Sequence, residues 1–358
     1  MRKPVSMQVM LLSVAVAFTL VLASAASAQP GEFVKGVLQP LPDGFPNRSL
    51  VIMVIDDPGS SDSVYAMQLS EAAKKISPVP IVIEHRQDFS NYGLWEGIAW
   101  TKDQGKLGSD GYISFVFGVP GNIMDLLVID MKKEVGVDQN DLRFVVSAEN
   151  TPYFLHQRAN APWGNTVQDL VAYAKKNPGT VRYISGGAGG GQDAAMQWYI
   201  KGLGFTVKEI IGGGADARAL AVAAGEGDVT VSRPESILPH FQGGKVKVLM
   251  VGGSEPAPPP WEGVPTAASL GLKGDPYGTY RSLGTIAQVP KDHLVWLKTL
   301  FTAAAKDKQF VDNRKSIPGL VYKIRSEEEM LKLSQDAYDF SLPIMKERGV
   351  YWGDKPKK

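Results

Sequence analysis

The sequence predicts an α/β protein of two domains, each an open, mostly parallel sheet flanked by helices. Three observations carry this expectation. The chain has 358 residues, more than one hydrophobic core of ordinary size accommodates. Short apolar runs of strand length alternate with helical stretches, the order expected of sheets with helices on their faces. The alternation is also stated twice, with a second series beginning near Leu142, so that the two halves look like relatives.

Composition narrows the function. Hydrophobic residues make up 44% and charged residues 21%, ordinary for a globular protein and incompatible with wholesale disorder. A net charge of +1 provides no field for nucleic acid or an anionic membrane surface. The absence of Cys excludes disulfides, thiol catalysis and cysteine metal sites, and the four His are scattered without a metal-ligand spacing. No cofactor is expected.

The N-terminus reads as an export signal. Arg2 and Lys3 precede an apolar run over 9–23, and Ala26-Ser27-Ala28 forms a small-residue cleavage site. The expectation is therefore a signal peptide over 1–28 and an exported mature chain from Gln29, periplasmic if the source is a Gram-negative bacterium, with a retained N-terminal anchor as the alternative. Residues 29–47 read as a Pro- and Gly-rich extension running over the surface.

The first series opens with 49–55, a continuous apolar run typical of a buried parallel strand. Asp56-Asp57-Pro58-Gly59-Ser60-Ser61-Asp62-Ser63 follows, rich in residues competent to cap the helix expected over 64–76. Strands are expected at 80–84 and 111–117, with a helix over 90–103 between them. In the second series, 143–147 and 153–157 read as strands. Thr166-Val-Gln-Asp169 opens a helix close to a capping box, which Asn177-Pro178-Gly179 ends. Strands are read at 181–185, 205–211, 229–232 and 246–251, with an Ala-rich helix ended by Gly225. Residues 252–274 are loose and Pro-rich. The C-terminal portion is mainly helical, over 291–306, 309–315 and 326–348, with a capping box at Ser326 to Glu329.

Chemistry concentrates in one stretch, 181–201. Its strand runs into Gly186-Gly187-Ala188-Gly189-Gly190-Gly191, and a helix opens at Gln192 and Asp193. Such a turn aims unpaired N–H groups and the positive end of a helix dipole at one point, where glycine lets a ligand approach closely. The arrangement suits a phosphate or carboxylate, although a tight connection without ligand has the same local sequence. The dinucleotide fingerprint fails, because Gln192 stands where the third glycine belongs. No Walker motif, G-x-S-x-G elbow or nucleophile–His pairing occurs.

Three such loops end strands and open helices: 58–63, 186–192 and 212–216. Ligands of open α/β sheets bind at the carboxyl ends of strands, and clefts between domains concentrate small-molecule sites. Two helix N-termini would each contribute about 1–2 kcal/mol to an anion. Charge-assisted hydrogen bonds of about 1.5–3 kcal/mol each bring a micromolar ligand within reach. The candidate ligand-binding residues are Pro58, Gly59, Ser60, Ser61 and Asp62; the turn Gly186 to Gly191 with Gln192 and Asp193; Gly213 and Gly214; and Arg233. Arg233 could clamp a carboxylate in two parallel hydrogen bonds, or pair at the surface with Glu235 or Glu226. Arg281 carries the same ambiguity. Trp95, Tyr153, Trp163 and Trp198 could wall a pocket or belong to the core. Asp62 and Asp193 are accounted for by dipole complementarity alone.

The pattern resembles the extracytoplasmic solute receptors of tripartite tricarboxylate transporters, the TctC or Bug family. Asp169-Leu-Val-Ala-Tyr-Ala-Lys-Lys-Asn-Pro-Gly179 is similar to the family's D-L-[IV]-A-Y-A-K-A-N-P-G. Gly212-Gly213-Gly214, Ser236-Ile-Leu-Pro-His240, Gly243-Gly-Lys-Val-Lys-Val-Leu249 and Gly263-Val-Pro-Thr266 resemble further family motifs. Two departures stand out. The usual P-G-G-G-x-D loop is here Pro58-Gly-Ser-Ser-Asp62, and the usual serine-containing G-S-x-G-x-G-S turn is glycine and alanine until Gln192.

The resemblance implies a periplasmic-binding-protein (Venus flytrap) fold with two interdomain crossovers. One domain would take 48–150 and 285–358, the other 151–284, closing by a hinge motion. It implies a monomeric, non-catalytic periplasmic receptor that captures a small organic anion, a carboxylate or dicarboxylate, and delivers it to the membrane permease subunits of such a transporter. Carried over by position, the first loop and the glycine turn would hold the ligand carboxylate. The missing hydroxyls shift weight to backbone donors and water, and Arg233, where the family more often has a neutral residue, suggests a second anionic group. The alternatives are a sensor feeding a signalling partner and an exported enzyme on the same fold.

Overall fold

The computed structural model describes residues 31–89, 92–188, 190–273 and 278–355. The expected signal peptide and Gly189 lie outside them. In chain order the strands are β1 (Phe33–Val34), β2 (Val37–Leu38), β3 (Leu50–Val54), β4 (Ile81–His85), β5 (Ile113–Val119), β6 (Leu142–Pro152), β7 (Phe154–Arg158), β8 (Arg182–Ser185), β9 (Lys208–Ile211), β10 (Val229–Ser232), β11 (Val246–Val251), β12 (Gly278–Ile286) and β13 (Val321–Arg325). The helices are α1 (Ser61–Lys74), α2 (Leu94–Asp103), α3 (Lys106–Ser109), α4 (Gly121–Val128), α5 (Met131–Glu134), α6 (Val167–Lys176), α7 (Gly191–Leu203), α8 (Ala215–Ala224), α9 (Pro234–Gln242), α10 (Lys291–Ala304), α11 (Lys308–Lys315) and α12 (Glu327–Glu347).

Two sheets result. One is six-stranded in the order β13-β6-β12-β5-β3-β4, the other five-stranded in the order β11-β7-β10-β8-β9. Helical crossovers make β3 parallel to β4 and β5, and β8 parallel to β9 and β10. The expectation of mostly parallel sheets needs correction, since both are mixed. β12 runs antiparallel to β5 and β6, β13 to β6, and β7 to β10 and β11. The cause is the route of the chain. It leaves the first sheet along β6 and returns along β12, so the returning strand enters head to tail.

The crossings adjoin. Pro152 ends β6 opposite Gly278, which starts β12, and a single residue, Tyr153, separates β6 from β7. A Cβ on Gly278 would lie 2.2 Å from Asn150 Oδ1 and 2.9 Å from Pro152 Cα, so only glycine lets the two connections pass. All of β12 belongs to the first sheet, which moves 278–284 out of the domain expected to span 151–284. Gly284 obscures the strand in the sequence, yet its missing side chain is required, because a Cβ there would lie 2.7 Å from the Arg143 carbonyl oxygen.

Local chemistry explains most element ends. Ser60 Oγ accepts from Ser63 N–H at 3.1 Å and starts α1 three residues earlier than expected. Capping boxes at Thr166 with Asp169 and Ser326 with Glu329 open α6 and α12. The helix expected over 90–103 is described from Leu94, and the strand expected over 205–211 from Lys208. α4 and β13 have no counterpart in the sequence reading; Pro120 and Gly121 give the start of α4 the composition of a turn.

Ile52, Val54, Phe115, Phe117, Phe144, Leu297 and Leu300 are buried on the first sheet, and Leu155, Val229, Val231 and Trp198 on the second, within one continuous cluster. Each such side chain contributes about 1.5–3 kcal/mol on burial. Trp95 and Trp198 are fully buried core residues. Among the described residues no helix is long and apolar enough to cross a membrane.

Candidate functional site

The parallel geometry of β8, β9 and β10 brings their carboxyl ends to one side, where the chain continues into the glycine turn, Gly212 to Gly214, and Arg233. Antiparallel β7 starts at that end, with Phe154 opposite Ser232. The first sheet contributes the carboxyl ends of β3 and β5 and the start of β12. Between the two groups lies a cavity of about 330 Å³. Asp56, Ser61, Asp62, Gly118, Gly121, Asn122 and Asp125 line it from the first sheet, Thr279 and Arg281 from β12, and Tyr153, Gly190, Gly191 and Arg233 from the second sheet. A second cavity of about 260 Å³ shares Tyr153, Gly190, Gly191 and Arg233, and runs under the glycine turn past Gly186, Gly187, Gln192, Asp193, Ala215 and Arg218. A larger concavity of about 600 Å³ lies at the opposite end of the first sheet, beside Asp43 and His293 and away from the carboxyl ends of its parallel strands, where ligands of such sheets bind.

Of the residues expected at the site, Ser61, Asp62, Gly186, Gly187, Gly190, Gly191, Gln192, Asp193 and Arg233 line these cavities. Pro58, Gly59, Ser60, Ala188, Gly213 and Gly214 do not line either one, and Gly189 is outside the described residues. Ser60 is committed to its helix cap. The Gly213 carbonyl accepts a hydrogen bond from Arg218 at 2.7 Å.

The glycine turn keeps the N-terminus of α7 accessible. Its N-cap, Gly190, has no side chain to bond the first N–H groups, so these remain available to an anion. The turn is braced from beneath. Ser185 Oγ donates to Asp193 Oδ1 at 3.2 Å and accepts from Gly187 N–H at 3.0 Å. Asp193 is buried, and desolvation raises its pKa against the pull of Arg348, whose Nη2 lies 3.6 Å away. It therefore acts as an internal brace.

Asp62 and Arg281 hold each other. Arg281 Nε donates to Asp62 Oδ1 at 2.6 Å and Nη2 to Ser61 Oγ at 2.7 Å, while Nη1 bonds Glu149. Glu149 also takes two hydrogen bonds from Arg314, at 2.6 and 2.8 Å. Two carboxylates and two guanidiniums thus balance in a buried chain. Burial opposes the charge on Arg281, but Asp62 and Glu149 outweigh it and hold its pKa above the ordinary value.

The remaining charges are segregated. On the first-sheet wall stand Asp56 and Asp125, and burial pushes the Asp125 carboxyl up to about 6 despite a hydrogen bond from Asn122. On the second-sheet wall stands Arg233. Its nearest carboxylate, Glu235, is 4.0 Å away and both side chains are well exposed, a pairing worth little. Buried His156 bonds Ser232 Oγ at 3.0 Å beneath Arg233, and its pKa is pushed down to about 3 by burial, so it adds no positive charge. Tyr153 bonds Thr279 Oγ1 at 2.9 Å across the crossings. Asn122 and Asp125 escaped sequence reading because α4 did, and Arg218 because its helix looks like a surface helix. Among the described residues no cluster of His, Asp and Glu could hold a metal ion.

Comparison with known proteins agrees with this architecture. A UPF0065 protein of Bordetella pertussis is 22% identical over 86% of this chain and 92% of its own length. A TctC solute binding protein from Polaromonas, solved without ligand, superposes with a TM-score of 0.72 at 20% identity, over 85% of this chain and 99% of its own. A protein from R. palustris solved with adipate does so with a TM-score of 0.62 at 20% identity, over 86% and 99%. These neighbours share the two-domain binding-protein fold. The family model of the tripartite tricarboxylate transporter family receptor, TctC, matches residues 65–350, and the chain belongs to that family.

Proposed function

We propose that this receptor captures a small organic anion, a carboxylate or dicarboxylate, between its two sheets and delivers it to the membrane subunits of a tripartite tricarboxylate-type transporter. One observation carries the reading: a cavity lined from both sheets has the bare N-terminus of α7 and Arg233 on one wall. That combination recognises a carboxylate through backbone N–H groups and a guanidinium. The adipate bound to the R. palustris relative supports the ligand class. Capture itself needs no catalytic group.

The crossings at Tyr153 and before Gly278 divide the chain into two lobes, and closure about them would bring the walls together. The signal-like N-terminus and the family support a receptor that works in the periplasm, as a monomer. A thermal-shift screen of organic acids on the mature protein tests the reading, because a bound ligand raises the melting temperature by mass action. Stabilisation by aliphatic or aromatic acids is expected. A response confined to sugars or cations would overturn it.

A further inference from the structure

We infer that Arg218 is a specificity-determining residue that binds a second carboxylate of the ligand, so that both carboxylates of a short diacid sit on the second-sheet wall. The inference rests on the receptor reading above and names the ligand more narrowly.

Arg218 ends the first turn of α8 and is 8% exposed. Its guanidinium lies under the glycine turn and lines the 260 Å³ cavity beside Arg233. Nη1 bonds the Gly213 carbonyl oxygen and Nη2 the Gln192 amide oxygen, both neutral acceptors. Among the described residues no carboxylate lies within ion-pair distance of it. Asp193, on the same cavity, is paired instead with Arg348. A buried cation without a counter-charge is strongly unfavourable. A ligand carboxylate would supply that counter-charge.

Two neighbours point the same way. Because the amide oxygen of Gln192 faces Arg218, its nitrogen is the free end, and Nε2 is buried without an acceptor; so is Nε of Arg233. Two of the groups left over on this cavity are therefore donors, the complement of an acceptor-rich dianion; the third, Asp193 Oδ2, also lacks a hydrogen-bond partner but lies 3.6 Å from Arg348 Nη2, which offsets its charge. The glycines make the arrangement possible. A Cβ on Gly186 would stand 2.6 Å from Nη1 of Arg218, and one on Gly212 3.2 Å from its Cγ. The turn lacks side chains where the guanidinium passes.

The opposite wall excludes the alternative placement. Asp56 and Asp125 face the adjoining cavity there, and a carboxylate beside them would be repelled. One carboxylate accordingly takes the α7 N-terminus and Arg233, and the second takes Arg218 with the Gln192 amide.

Calorimetric titration of the mature protein with straight-chain diacids from malonate to adipate, each beside the monoacid of equal length, tests this. In the wild type at least one diacid binds about tenfold or more tightly than its monoacid, the effect of one charge-assisted contact. Arg218→Gln weakens that diacid by about tenfold while leaving the monoacid within about threefold, and Arg218→Lys falls between. If Arg218→Gln does not fold, Gln192→Glu answers instead. A carboxylate supplied from within raises the melting temperature of the unliganded protein and abolishes the diacid preference. Equal binding of diacids and monoacids by the wild type, equal weakening of both by Arg218→Gln, or no effect of either substitution overturns the inference. If no acid binds the wild type at all, the receptor reading falls as well.

Discussion

Arg281 Nε lies 2.6 Å from Asp62 Oδ1, joining the start of the first helix to the strand that returns from the second sheet, across 219 residues of sequence. Each of these residues, read alone, is a candidate for the ligand. Paired, they form one end of a charge chain that continues through Glu149 to Arg314. Both arginines thus have their charges met by carboxylates on the first-sheet side, which under the proposed function leaves anion recognition to the other wall.

Glu149 holds that chain together. It is fully buried and meets both guanidiniums. Glu149→Gln would leave Arg314 without a carboxylate and Arg281 with Asp62 alone, at a cost of about 3–5 kcal/mol. The urea midpoint should fall accordingly at unchanged m-value. A loss below about 1 kcal/mol would show that the charges are solvated in a way the packing does not suggest.

Asp62 is the partly exposed end, with its side chain one-quarter accessible, so Asp62→Asn should destabilise less than Glu149→Gln. It should also turn Arg281 from a neutralised residue into a cation lining the cavity. Tighter binding of anionic ligands is the expected outcome, by a few-fold in calorimetric titration at low salt. Weaker binding would mean that Asp62 itself contacts the ligand.

Asp125 makes stability and affinity depend on pH. Burial raises its pKa from 3.8 to about 6. Between those values the folded protein holds a proton that the unfolded chain has lost, so stability falls as pH rises through the window and is level above it. Asp125→Asn should remove that slope and be more stable at pH 7 by about 3 kcal/mol. Ionised Asp125 also repels an anion in the cavity, so wild-type affinity should fall between pH 5.5 and 7.5 more steeply than that of the variant. Parallel pH profiles for the two proteins would contradict this.

The legibility of this protein in its sequence follows the range of the interactions. The glycine turn, the Thr166 and Ser326 capping boxes and the apolar strand over 49–55 are local, and the structure contains each of them. The antiparallel entry of β12 is not local. It depends on a chain that leaves along one strand and returns beside it, and Gly284 weakens the strand pattern where it matters. Asp62 and Arg281 each obey a local rule, yet only the folded chain shows that they meet. Arg218 is the most instructive case. It lies in an Ala-rich helix whose sequence is indifferent to an arginine, and it is buried because Gly186 and Gly212, far from it in the local pattern, lack the atoms that would keep it out.

Gly278 predicts what the two crossings tolerate. An alanine there would press its Cβ against Asn150 Oδ1 and against the backbone at Thr151 O, 2.8 Å away, and Pro152 Cα. Backbone atoms cannot swing aside as a flexible side chain can, so Gly278→Ala should cost about 1–3 kcal/mol. Because both connections between the lobes would shift together, ligand affinity should fall with stability. Thermal unfolding with and without a saturating acid separates the two effects.

Gly186 offers the contrasting test. A serine there adds a side chain where the turn has none, and the atoms nearest its Cβ would be those at the far end of Arg218. A flexible side chain can retreat, so the melting temperature should change little. The guanidinium would leave its place under the turn, and Gly186→Ser should lose preference for diacids over monoacids while still binding the monoacids. Gly214→Ser is the matched control. Gly214 is the N-cap of α8 and lines neither cavity, and a Cβ added to it would meet nothing within 4 Å. Serine at that cap should stabilise by a few tenths of a kcal/mol and leave the diacid preference intact. If the two serines behaved alike in titration, the space at Gly186 would have no part in selectivity. Loss of the preference at Gly186 alone would tie the bare backbone of the turn to the arginine that lies beneath it.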